Sequence, residues 1–97
     1  MRLIGATERA VRSLADSRGE SMAALARRLG VTPQAIAKRI RRRAVTTETI
    51  RVMAEAFGLS PGEFRRKIVA EYRSAAKAGI LLPPPMVLDR QRAITPA

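Results

Sequence analysis

Residues 24–43, "ALARRLGVTPQAIAKRIRRR", decide how the rest of the chain is read. Leu25, Ala26 and Leu29 recur at helical spacing up to Gly30. Thr32 followed by Pro33 then opens a second helix, whose Ala35, Ile36 and Ile40 share one side. Gly30 stands where a chain leaving one helix must turn sharply, a place for a residue without a Cβ at positive φ. Val31 is expected to plug the angle between the two helices. Ala26 is small at the point where they face each other, and a larger side chain there would push them apart. Leu25, Leu29 and Ile36 complete a local core.

Two short helices crossing at such a turn form a helix-turn-helix. Outward from it, the same period and punctuation predict three more helices. The first runs from Thr7, whose hydroxyl can cap, to Gly19, with Ala10, Val11, Leu14 and Ala15 on one face. The motif's own helices run from Ser21 to Gly30, which also buries Met22, and from Pro33 through the arginines to Arg43. Thr46 or Thr47 opens a fourth, carrying Ile50, Val52, Met53, Ala56 and Phe57 to a stop at Gly58. "SPGE", Ser60 to Glu63, has the form of a capping box and starts a fifth, with Phe64, Ile68, Val69, Tyr72, Ala75 and Ala76 at helical spacing up to about Gly79. The segment "ILLPPPMVLDRQRAITPA" cannot stay helical through Pro83, Pro84 and Pro85, and reads as an extended arm with a short strand at Met86 to Leu88. No strand alternation is visible before residue 80. The expectation is an all-α, five-helix domain over residues 1–79 with a proline-interrupted arm over 80–97.

Composition narrows the partner. Lys and Arg number 19 against 8 Asp and Glu, a formal net charge of +11 on 97 residues, which points to a polyanion. The absence of Cys and His removes thiol nucleophiles, imidazole acid/base chemistry and the usual zinc ligands, so neither an enzyme, a metal nor a cofactor is expected. Only Phe57, Phe64 and Tyr72 are aromatic, too few for a base-stacking platform, which favours duplex DNA over RNA loops. No apolar run is long enough for a leader or a membrane span, giving the expectation of a soluble, cytoplasmic protein.

The small Ala26, the turn Gly30, the following Val31 and the inward Ile36, with "TIRVMAEAFGLSPGEF" in correct order behind them, resemble the phage-repressor-like helix-turn-helix proteins, the lambda-repressor-like class of the Cro/C1-type (XRE) family. The resemblance runs from about Thr7 to Ile68. It implies a transcription regulator, by default a repressor, that binds an inverted-repeat operator on double-stranded DNA as a homodimer. Carried over residue by residue, it implies that Thr32, Gln34, Ala37, Lys38 and Arg41 face the bases, and that Ser21, Arg39, Arg42, Arg43 and Thr47 meet phosphates. The chemistry suits those roles: Gln can pair with adenine N6/N7, Lys can donate to guanine O6/N7, and clustered cations neutralise the backbone. Met22 departs from the Gln the family often carries at the start of its second helix, and "RRR" replaces the acidic or Asn-type residue common at the end of the third.

Two other basic runs, Arg27–Arg28 and Arg65–Lys67, are equally compatible with solvated faces. For the dimer, the expected surface is the apolar side of Phe64, Ile68 and Tyr72 with Ile80, Leu81, Leu82, Met86, Val87 and Leu88 of the arm. An alternative is an antitoxin or antiactivator whose arm captures a protein partner. A third is an RNA-binding or architectural protein that uses charge without reading sequence.

Overall fold

Four of the five helices begin at a side-chain cap. In the computed structural model, which describes residues 5–41 and 44–88, the hydroxyls of Ser21, Thr32, Thr46 and Ser60 each accept the backbone N–H three residues on, at 3.0–3.2 Å. They start α2 (Met22–Leu29), α3 (Pro33–Ile40), α4 (Thr47–Ala56) and α5 (Pro61–Lys77). At Ser60 the capping box is complete, because its own N–H donates to Glu63 Oε1 at 3.1 Å. That bond to the Ser60 backbone holds the Glu63 carboxyl below its ordinary value.

The exception is α1 (Ala6–Ser17), whose cap residue is Gly5, with no side-chain hydrogen bond. The expectation of a Thr7 cap is therefore corrected. Thr7 lies inside the first turn and is buried with Ala6 and Glu8, so packing rather than a cap anchors this end.

Gly30 closes α2 as expected. Its φ of 70° is left-handed, and it lets the Val31 N–H reach back to the Ala26 carbonyl at 3.0 Å. The chain then starts α3 two residues later. Val31 itself is corrected: at 39% exposure it lies on the rim of an apolar cleft among Leu29, Ala35, Ile36, Val52 and Met53 instead of sealing the angle. α3 is also shorter than expected, ending at Ile40 with Arg41 at its C-cap. Arg42 and Arg43 lie outside the described residues.

The core takes Val11 from α1, Leu25 and Ala26 from α2, Ile36 and Ile40 from α3, Ile50 and Met53 from α4, and Phe64 and Ile68 from α5. α5 packs along both α1 and α4, and α2 packs on α3. Phe64 and Ile68 were expected at a dimer surface. Both are buried in the protomer's own core, so neither has side-chain area left for a partner; Tyr72 is partly buried against the same core.

Two three-residue strands complete the helical fold. β1 (Ala44–Thr46) lies in the link between α3 and α4 and pairs in parallel with β2 (Met86–Leu88), in the register Ala44↔Met86, Val45↔Val87, Thr46↔Leu88. β2 was expected. β1 was not, since three residues are too few to display alternation; its Val45 is buried in the core cluster. The arm's Leu82 packs against the core, whereas Leu81 is 86% exposed.

Candidate nucleic-acid interface

α3 is oriented from its N-terminus. Thr32 Oγ1 accepts the Ala35 N–H and Pro33 occupies the first helical position, so the helix is started by two local devices that need no distant contact. Ile36 and Ile40 then fix one side in the core. Helical spacing places Gln34, Ala37, Lys38 and Arg41 on the opposite side. Gln34 and Lys38 are exposed and Ala37 is half-buried. Arg39 projects from a different flank, beside the apolar cleft of Leu29, Val31 and Met53. Neither Lys38 nor Arg39 forms an ion pair with a described residue.

A shallow groove borders this face. Pro33, Gln34, Ala37 and Arg41 of α3 line it with Met22 of α2 and Arg12 of α1. Met22 sits beside Gln34 as an apolar wall, where a polar brace was the family expectation. Ser21 and Thr32 use an oxygen lone pair on a backbone N–H, which leaves each hydroxyl its O–H to donate. Thr47, the first residue of α4, is exposed; the cap next to it is Thr46, whose Oγ1 also donates to Thr49 Oγ1 at 3.0 Å.

Charged residues to which the sequence assigns no site role, or only a solvated face, take part in the structure around this helix. Glu8 is only 1% exposed, and its two carboxylate oxygens accept from Arg12 Nε at 3.0 Å and Arg41 Nε at 3.3 Å. Arg41 is thus brought together with α1 as well as with the outward face of α3. Arg12 was legible as an i+4 partner of Glu8, but a pairing with Arg41, far along the chain, carries no local signal. Arg28 is another. It forms a two-point pair with Glu20, at 2.9 and 3.0 Å, and donates to the Ala56 carbonyl, where it is joined by Arg18 Nη1 at 3.0 Å. Both guanidinium carbons lie over the Phe57 ring, at 5.8 and 5.9 Å from its centre. These two cations cap the C-terminal end of α4. The hydrogen bond from Arg28 holds the Glu20 carboxyl below its ordinary value, and Glu20 raises Arg28 in return.

Among the described residues no helix is long and apolar enough to cross a membrane, and no group of acidic residues could hold a metal ion. The outward side of α3 is a cationic, hydrogen-bonding helix face with a groove beside it. A helix-turn-helix family model matches residues 11–64, from α1 into the first turn of α5. No match was found among curated proteins or among solved structures. With its α2–turn–α3 unit and more than half of its length inside that match, the chain belongs to the Cro/C1-type (XRE) helix-turn-helix family and is a DNA-binding transcription regulator of that kind.

Proposed function

We propose that the protein is a repressor that binds an inverted-repeat operator on double-stranded DNA as a homodimer, in the cytoplasm of a bacterial or phage-infected cell. One α3 enters each major-groove half-site, the two centres about 34 Å apart. Thr32, Gln34, Ala37 and Lys38 meet base edges, with Gln34 suited to adenine and Lys38 to guanine. Ser21, Arg39, Arg42, Arg43 and Thr47 neutralise or hydrogen-bond the phosphates on either side. The observation that carries this reading is the Gln34–Lys38 face. It is exposed, one helical turn long and free of ion pairs with described residues, while the opposite side of the same helix is buried.

Residues 1–79 form the DNA-binding domain in this reading, and the arm from Ile80 supplies the dimer contact through Ile80 and Leu81 with Met86, Val87 and Leu88, Leu82 being packed against the protomer's own core. The adjacent Ile80 and Leu81, 37% and 86% exposed, support that assignment as neighbouring apolar side chains on the surface. The same exposure supports a second reading, an antitoxin or antiactivator whose arm holds a protein partner.

The test is selection of bound fragments from a random duplex library at near-physiological salt, with the selected complex sized. An inverted repeat bound by two chains is the expected result. A motif without symmetry, bound by one chain, overturns the homodimer and favours the second reading. No enriched motif overturns base reading altogether and leaves a protein that binds the backbone alone.

A further inference from the structure

A carboxylate as deeply buried as Glu8 has no evident place on the DNA-facing side of a protein with net charge +11. Its surroundings give it one. Glu8 sits in the first turn of α1, where the helix dipole favours negative charge. One oxygen takes Arg12, a turn further along α1, and the other takes Arg41, the C-cap of α3. Both arginines are engaged through Nε alone among the described residues, and their side chains remain 44% and 41% exposed. Neither terminal pair of Nη nitrogens bonds a described residue, and both part-exposed side chains line the groove that also contains Gln34 and Ala37.

The geometry points to Glu8 as a positioning residue for DNA recognition: it fixes Arg12 and Arg41 as a paired guanidinium clamp for one backbone phosphate at the edge of the half-site. Planar guanidinium forks suit phosphate oxygens, and a side chain ordered before binding loses less freedom on binding. The clamp also sets the register of α3. It bolts the helix's C-terminal end to α1 and to a phosphate at once, so that Gln34 and Lys38 approach the base edges at a fixed depth. Glu8 itself touches no DNA. This inference rests on the reading that the Gln34–Lys38 face meets the bases.

The test uses the full chain with two probes, the tightest duplex recovered from the random library and a scrambled duplex of equal length. Glu8→Gln keeps size and shape and removes the charge. Expected is a loss of about tenfold in affinity for the selected duplex, with binding to the scrambled duplex unchanged or tighter, because a negative charge has gone. Arg41→Lys keeps the charge, lies on the surface and loses the Nε bond; it should show the same selective loss, so the idea stays testable if Glu8→Gln folds poorly. In an Arg12→Ala/Arg41→Ala background, Glu8→Gln should add nothing. Tighter binding of both duplexes by Glu8→Gln would mean that the carboxylate merely repels DNA, and equal weakening of both by the folded Arg41→Lys protein would mean a general structural role; either overturns the clamp. Gln34→Ala is the reference. If it leaves discrimination intact, the base-reading assignment of α3 has failed; if it abolishes discrimination while Glu8→Gln and Arg41→Lys do not, only the clamp has.

Discussion

The arginines around Ala56 and the cations of α3 have similar chemistry and opposite fates. Arg18 and Arg28 meet a helix-terminal carbonyl, a carboxylate and an aromatic face, all supplied by the protein itself. Lys38 and Arg39 meet no charged group among the described residues. In a chain with 19 cations, what a basic side chain does is decided by what the fold brings to it, not by the length of the basic run it belongs to. Arg28, within "RRLG", holds the scaffold together, while Lys38 and Arg39, within "AKRIRRR", are left facing outward.

The largest expected effect strikes the structural set. Phe57→Ala removes a buried ring and the surface on which both guanidiniums rest, and should cost about 3–5 kcal/mol of stability by urea denaturation. The protein that remains folded should still discriminate between the selected and scrambled duplexes. Lost discrimination at full folding would break the separation of the two regions.

A matched pair of substitutions sharpens the contrast. Arg28→Ala should lower the urea midpoint and leave the slope of log affinity against log salt as it was. Arg39→Ala should leave the midpoint alone and flatten that slope by about one unit, because one phosphate fewer is neutralised on binding. Equal slopes for the two variants would mean that charge alone, wherever it sits, governs binding.

The smallest effect is in acid. The carboxyls of Glu20 and Glu63 are both held below their ordinary value of 4.5, by Arg28 and by the Ser60 backbone respectively. A carboxyl depressed by folding stabilises the fold fully above that ordinary value and stops doing so as pH falls through its lowered one. Thermal midpoints should therefore decline below about pH 4.5, and Glu20→Gln should make the decline shallower. An unchanged acid limb in that variant would show that the Arg28 pair contributes nothing beyond the bond to the Ala56 carbonyl.

What could be read from the chain was whatever a few adjacent residues determine. Ser21, Thr32, Thr46 and Ser60 each cap a helix through a bond that spans three residues, and Gly30 closes α2 through a similarly short loop. Helical period likewise places Ile36 and Ile40 inward and Gln34 and Lys38 outward. Legibility failed where the partner was distant. Glu8 and Arg41 meet only after α1 and α3 have packed, and Arg28 reaches Ala56 across α3 and β1. Phe64 and Ile68 read as a dimer surface because a periodic apolar face looks the same whether a helix of the same chain or of another covers it; here α1 and α4 cover it.

The parallel register of β1 and β2 governs the order of assembly. Strand pairing between Ala44 and Met86 joins the two sides of a segment containing all of α4 and α5, so its loop must be closed before the pairing returns any stabilisation. Three residues a side give the pair little independent stability. The arm is accordingly expected to dock late and to open early, with Met86–Leu88 pairing onto the link between α3 and α4 once the helices that the pairing brackets have formed.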